Sequence, residues 1–206
     1  MRGFADELKD IRFWDSGIEK LIEEQGLPAI DFVMQTREEI IALCEWIDEN
    51  RIKSYLEIGI WTGGLVNLLH RCFKFQRTAA CDIGAARLFS LEINLAPGIL
   101  FYEGNSHSPI YPNWRRKLGQ IDLTLIDASH SYEDVKRDFA INRKFPHRYI
   151  AFQGIVANKY TGDGVKQFWT ELEGEKFEIV RPHTEIGSSE PTMGIGIWRA
   201  ANKSQS

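Results

Sequence analysis

Along most of the chain, short apolar runs that end in glycine or aspartate alternate with longer segments whose apolar positions recur at helical spacing. Ser54-Tyr55-Leu56-Glu57-Ile58-Gly59 is the first such run. It is followed by Thr78-Ala79-Ala80-Cys81-Asp82, Ile99-Leu100-Phe101-Tyr102-Glu103, Ile121-Asp122-Leu123-Thr124-Leu125-Ile126-Asp127 and Arg148-Tyr149-Ile150-Ala151-Phe152. Runs of this length, rich in apolar residues and bounded by turn formers, predict strands. Leu65, Val66, Leu68 and Leu69, then residues 85–95, 132–142 and 165–172, predict the helices between and after them. Two closing strands, 176–180 and 194–198, have only a polar loop with Gly and Pro between them, which predicts an antiparallel hairpin. Strands alternating with helices imply a sheet covered on both faces. The expected fold is α/β: a Rossmann-like, doubly wound, mostly parallel seven-stranded sheet with an antiparallel last strand and N-terminal helices.

Residues 1–35 read as a helical lead-in, because Leu8, Ile11, Phe13, Trp14, Ile18, Leu21 and Ile22 fall among charges at roughly helical spacing before Gly26 and Pro28. Thr36-Arg37-Glu38-Glu39 has the form of a capping box, with Ile40, Ile41, Leu43, Cys44 and Ile47 as the apolar face of the helix it opens. One domain over 36–200 and a disordered tail over 201–206 complete the expected organisation. A chain of 206 residues, 43% of them hydrophobic, can bury one sizeable core. The net charge of −4 and the short basic run Arg115-Arg116-Lys117 argue against a nucleic-acid substrate. Cys44, Cys72 and Cys81 show no metal-binding spacing, the N-terminus is charged, and no apolar stretch approaches a membrane span, so the expectation is a cytoplasmic protein with free thiols. The N-terminal helices could supply a homodimer face.

Chemistry concentrates where the strands end. In an open parallel sheet, ligands bind at the carboxyl ends of the strands, and glycine is needed where backbone passes close to ligand. Gly59 and Gly63 occupy such positions in Glu57-Ile58-Gly59-Ile60-Trp61-Thr62-Gly63-Gly64. A dinucleotide fingerprint would require glycine where Trp61 stands. By themselves the two glycines are as compatible with tight packing as with a ligand. Asp82, about 20 residues after the turn, is placed to accept hydrogen bonds from ribose hydroxyls. Asp134 and Asp138, four residues apart, read as a solvated helix face. His70, His107, His147 and His183 have no evident partner spacing, and most of Trp61, Tyr111, Trp114, Tyr132, Phe152, Tyr160 and Trp169 read as core.

Leu56-Glu57-Ile58-Gly59 with Gly63-Gly64, then Asp82, Gly104-Asn105-Ser106 and Asp122-Leu123-Thr124-Leu125-Ile126-Asp127-Ala128-Ser129-His130-Ser131-Tyr132 resemble the class I S-adenosylmethionine-dependent methyltransferases. Within that class, the chain is similar to the small-molecule O-methyltransferases that include macrocin- and cephalosporin-pathway enzymes. The resemblance runs from about Thr36 to Trp198 and extends to Gly164-Val165 with Phe168-Trp169. It implies Glu57 and Gly59 beside the methionine moiety, Gly63 in the turn that holds the cofactor, Asp82 at the ribose, Asn105 and Ser106 near the adenine, and Asp127 facing the cofactor's ammonium. Acidic groups at Glu57 and Asp127 suit a cofactor with a sulfonium and an ammonium better than they suit NAD. His130, three residues beyond Asp127, is the candidate general base, against the plainer reading of a histidine bonded to loop backbone.

Many such enzymes bind a divalent metal through the fourth-strand acid and an acidic or His-Asp pair at the end of strand five. Here those latter positions are Gln153-Gly154, which lack the carboxylates that hard cations favour, so no catalytic metal is expected. The implied activity is methyl transfer to a hydroxyl, or less readily an amine, of a small-molecule acceptor. The alternatives are a non-catalytic binding protein that has kept the cofactor fold and an NAD-dependent oxidoreductase.

Overall fold

The computed structural model describes residues 3–13, 32–157, 162–182 and 193–200. The strands are β1 (Arg12–Phe13), β2 (Phe32–Val33), β3 (Ser54–Ile58), β4 (Arg77–Asp82), β5 (Leu100–Glu103), β6 (Ile121–Ile126), β7 (His147–Gln153), β8 (Glu175–Ile179) and β9 (Ile195–Arg199). The helices are α1 (Phe4–Glu7), α2 (Arg37–Glu49), α3 (Gly64–Phe73), α4 (Tyr111–Lys117), α5 (Tyr132–Asn142) and α6 (Gly164–Glu171). Seven strands form one sheet in the order β5-β4-β3-β6-β7-β9-β8. Pairing is parallel from β5 through β7, whereas β9 runs antiparallel to both β7 and β8. The predicted Rossmann-like sheet and its antiparallel closing hairpin are therefore present. No helix among the described residues is long and apolar enough to cross a membrane.

The period-two alternation of the strands divides the core between the faces of the sheet. Tyr55, Leu123, Leu125, Tyr149 and Ala151 face one side, with Ile40, Leu43 and Ile47 of α2 and Leu65, Val66 and Leu69 of α3 in the same cluster. Leu56, Ile58, Ile126, Ile150 and Phe152 face the other, with Val135 and Phe139 of α5 and Phe168 and Trp169 of α6. Glu57 interrupts the first pattern. It shares the face of Tyr55 and is 1% exposed.

Three local expectations are corrected. The predicted helix over 85–95 is a 3-10 turn, Ala85–Phe89, bracketed by left-handed residues Gly84 and Ser90. A helix cannot propagate through a left-handed residue. The lead-in is helical only over α1 within its described part. Arg12–Phe13 is instead extended and pairs in parallel with Phe32–Val33, while residues 14–31 and the tail 201–206 lie outside the described residues. Finally, the capping box does not close. Thr36 caps α2 with no side-chain bond, and Glu39 is drawn away to accept a hydrogen bond from the Gly194 amide at 2.9 Å, just before β9.

The N-terminal arm is thereby built into the domain. Arg37 donates to the carbonyls of Leu8 at 2.6 Å and Ile11 at 2.8 Å and lies over the Phe13 ring at 4.6 Å. The β2 backbone crosses the start of α3 so closely that a Cβ on Gly64 would lie 1.5 Å from the Phe32 carbonyl oxygen. Only glycine permits that approach. Gly64→Ala must either displace the arm or strain the helix start, and a loss of about 1–3 kcal/mol in unfolding free energy is expected. Urea denaturation measures it, and an unchanged midpoint with the arm equally protected from proteolysis would contradict this packing.

Candidate cofactor and active site

β3 lies between β4 and β6; the chain runs outward from β3 through β4 to β5 and then crosses back to β6 on the other side of β3, so the strand order reverses here. At such a switch point the loops part and leave a crevice. Two adjoining clefts open there, of about 250 and about 400 Å³. The first is lined by Gln35, Glu57, Trp61, Thr62 and His130 among others. The second is lined by Asp82, Asn105, Ser106, His107 and Asp138 among others. Gly59, Trp61 and Asp127 border both.

Gly59 has φ +81°, and a Cβ on it would lie 2.4 Å from both the Ala128 Cα and the Asp127 carbonyl oxygen. Its lack of a side chain lets the loop after β6 press against the turn after β3. Gly63 is the left-handed N-cap of α3. Trp61 also has a positive φ, +53°, a costly conformation for a bulky residue. Its ring rests against Phe89 at a centroid distance of 5.3 Å.

Two carboxylates sit at neighbouring strand ends. Glu57 Oε2 accepts a hydrogen bond of 2.7 Å from the Tyr55 hydroxyl. Burial pushes the Glu57 carboxyl well above the usual range, and the negative charges of Asp127 and Asp82 add to the shift. Asp127 accepts from Gln35 Nε2 at 2.5 Å, and its Oδ1 stands 3.5 Å from His130 Nε2. Burial raises the Asp127 carboxyl too, opposed by His130 and by the Gln35 amide.

Asp82 is occupied differently from the sequence expectation. Its Oδ2 accepts from the amides of Ile60 at 2.9 Å and Trp61 at 3.3 Å, and its Oδ1 from Gly84 at 2.6 Å and Ala85 at 3.1 Å. A carboxylate offers about four lone-pair positions. All four are directed at backbone, so Asp82 ties the turn after β3 to the turn after β4.

In the second cleft, Ser106 donates its hydroxyl to Asp138 at 2.6 Å, and Asn105 Oδ1 accepts from the amide of His107 at 2.7 Å. His107 Nε2 lies 3.1 Å from Asp138 Oδ1. Asp138 is 1% exposed, and burial raises its carboxyl. The expectation of a solvated Asp134/Asp138 face is therefore half wrong. Asp134 is exposed and accepts from the N-cap Ser131 at the start of α5, while Asp138 points inward. Among the aromatic candidates, Trp61 lines both clefts, whereas Tyr111, Phe152 and Trp169 are buried in the core of the other face.

The divalent ion that the resemblance implies does not fit these residues. No group of three His, Cys, Asp or Glu side chains among the described residues is arranged to hold a metal. Gln153 is 1% exposed at the end of β7, with no partner for either amide atom among the described residues.

The architecture is shared with solved methyltransferases. The chain is 16% identical to the O-methyltransferase TomG of Streptomyces achromogenes, crystallised with S-adenosylmethionine. That match covers 96% of this chain and 94% of TomG at a TM-score of 0.57. An O-methyltransferase from Bacillus cereus, in complex with S-adenosylhomocysteine, is 14% identical over 95% of each chain at a TM-score of 0.55. The MycE methyltransferase of the mycinamycin pathway, solved with Mg, S-adenosylhomocysteine and mycinamycin VI, is 13% identical at a TM-score of 0.54, covering 80% of this chain and 50% of MycE. No protein-family profile and no curated protein sequence matches the chain. The fold is the Rossmann-like methyltransferase fold.

The arrangement around Asp82 has a measurable consequence. Asp82→Asn turns one acceptor oxygen into a donor facing backbone amides. The unfolding free energy is expected to fall by about 2 kcal/mol or more. A urea midpoint equal to that of the unaltered protein would contradict the bracing role.

Proposed function

We propose that this chain is an S-adenosylmethionine-dependent methyltransferase that acts on a hydroxyl, or an amine, of a small molecule without a catalytic metal. The observation that carries the reading is the pair of Glu57, 1% exposed, and Asp127, its side chain 10% exposed, at adjacent strand ends in the first cleft, where Asp127 also borders the second, in a fold shared with methyltransferases. Two carboxyls held out of water call for a cation. An ammonium beside a neutral nucleoside fits this pair, whereas a dinucleotide pyrophosphate would add like charge. The methionine portion belongs in the cleft of Glu57, Gly59, Thr62 and Asp127, and the adenosine portion in that of Asp82, Asn105 and Ser106. Since the Ser106 hydroxyl is directed at Asp138, its part at the adenine is to fix the loop.

S-adenosylmethionine supplies an electrophilic methyl group on a sulfonium. The residues of the chain must align an acceptor with it, exclude water and take a proton. His130, its side chain 29% exposed beside Asp127, is positioned to accept the acceptor's proton as a nucleophilic oxygen bonds to the methyl carbon and the carbon–sulfur bond breaks. Asp127 orients the ring and stabilises the imidazolium, as a carboxylate does for a histidine base elsewhere. Phe32, Met34 and Met193 give the same cleft apolar walls, which suit a small organic acceptor. No disulfide links Cys44, Cys72 or Cys81 among the described residues, in keeping with a reducing, cytoplasmic setting.

S-adenosylhomocysteine, which retains the ammonium, is expected to bind in calorimetry, and Glu57→Gln or Asp127→Asn to weaken it about tenfold or more. No binding at millimolar ligand would overturn the reading. Binding should also release protons. Burial raises both carboxyls, and a cation beside them lowers their pKa again, so any proton that either holds in the free protein is given up on binding. The measured enthalpy should therefore change with the ionisation enthalpy of the buffer, in the direction of proton uptake by buffer. In a methyl-transfer assay over a panel of hydroxyl and amine acceptors, His130→Ala should lower turnover about 10²–10⁴-fold. Full activity in that variant would remove His130 from the chemistry.

A further inference from the structure

Gln35 belongs to no motif, yet it is 6% exposed and its Nε2 donates to Asp127 Oδ2 at 2.5 Å. It arrives from the N-terminal arm, between β2 and α2, and lines the cleft of Glu57 and His130. Its Oε1 is buried with no hydrogen-bond partner among the described residues. A second carboxamide ends β7, the strand paired with β6. The β6–β7 ladder pairs Ile126 with Phe152, so the next step along it sets Asp127 opposite Gln153, which is also buried and unpartnered among the described residues.

We infer that Gln35 is a positioning residue that holds Asp127 where a metal ion would otherwise hold it, and that Gln35 and Gln153 together close this position to divalent cations. The inference deepens the metal-free reading above and rests on it for the identity of the site. A divalent cation at Asp127 would need a lone pair of the carboxylate and several further oxygen ligands at about 2.0–2.6 Å. Gln35 turns an N–H toward that carboxylate, so a partly positive hydrogen stands where a cation would bind. Gln153 offers at most a neutral carbonyl in place of a carboxylate.

A neutral donor also affects the chemistry differently from an ion. It fixes the direction of Asp127 while leaving the negative charge available to His130 and to a cationic ligand. The packing of the arm against Gly64 and the anchoring of Arg37 to the Leu8 and Ile11 carbonyls keep Gln35 at this place.

Electron paramagnetic resonance of Mn²⁺ titrated into the full chain, with and without S-adenosylhomocysteine, tests this directly. The unaltered protein is expected to leave the free Mn²⁺ signal undiminished at micromolar metal. The double variant Gln35→Glu/Gln153→Asp is expected to quench it, with affinity at least tenfold higher and a melting temperature that rises on adding Mn²⁺. Quenching by the unaltered protein at micromolar metal would overturn the inference. A folded double variant that binds no better than the unaltered protein would overturn it too. If the double variant does not fold, Gln35→Glu and Gln153→Asp taken singly apply the same criterion. The S-adenosylhomocysteine arm separates the two claims: a chain that excludes Mn²⁺ as expected but binds no S-adenosylhomocysteine retains the carboxamide arrangement and loses the methyltransferase reading.

Discussion

The structure around the crevice depends on two carboxyls largely withdrawn from water, Glu57 buried and Asp127 with its side chain 10% exposed, at adjacent strand ends with no lysine or arginine bonded to either among the described residues. Removing a carboxylate from water costs several kcal/mol unless hydrogen bonds or an opposite charge offset it. Neutral groups meet part of that cost. The Tyr55 hydroxyl serves Glu57, and the Gln35 amide serves Asp127. The remainder raises both carboxyls above their ordinary range, and on the proposed reading a cationic ligand completes the charge. An arrangement costly to the empty protein is then favourable to a cationic guest.

Much of the surrounding architecture brings those groups together and keeps them there. Gly59 allows the loop after β6 to approach the turn after β3, which sets Asp127 near Glu57. Asp82 binds four amides from two turns and so gives the floor of the crevice a fixed shape before any ligand arrives. Glu39 crosses from α2 to the Gly194 amide and joins the helix that follows the arm to the closing hairpin. Preorganisation of this kind lowers the ordering cost of binding. Trp61 carries backbone strain at the junction of the clefts, which is tolerable only where the surrounding structure determines it.

The strands and the closing hairpin were legible in the sequence because short apolar runs that end in glycine or aspartate are local signals. The turn at 57–64 and the segment from Asp127 to His130 were legible for the same reason. Less legible was anything decided by partners far away in sequence. Thr36 and Glu39 have the spacing of a capping box, but a buried amide 155 residues away competes for the glutamate. The i,i+4 aspartates Asp134 and Asp138 look alike in sequence, yet only Asp138 meets the Ser106 hydroxyl from a loop 32 residues earlier. Asp82 carries the expected residue type at the expected strand end, although its bonds serve the turns. Gln35 was missed because a lone glutamine in an irregular arm has no periodicity and no motif. Its meaning comes from an aspartate 92 residues further on. Residues 85–95 were misread because helical composition gave way to left-handed backbone at Gly84 and Ser90.

The central claim is that the paired carboxyls await an ammonium. The most direct measurement compares the affinity of S-adenosylhomocysteine with that of 5′-methylthioadenosine, which has the same nucleoside but no amino-acid portion, in the unaltered protein and in Asp127→Asn. The account predicts that S-adenosylhomocysteine binds at least tenfold more tightly and that Asp127→Asn removes most of that advantage, leaving methylthioadenosine affinity nearly unchanged. Equal affinities for the two ligands, or an advantage that survives Asp127→Asn, would contradict it.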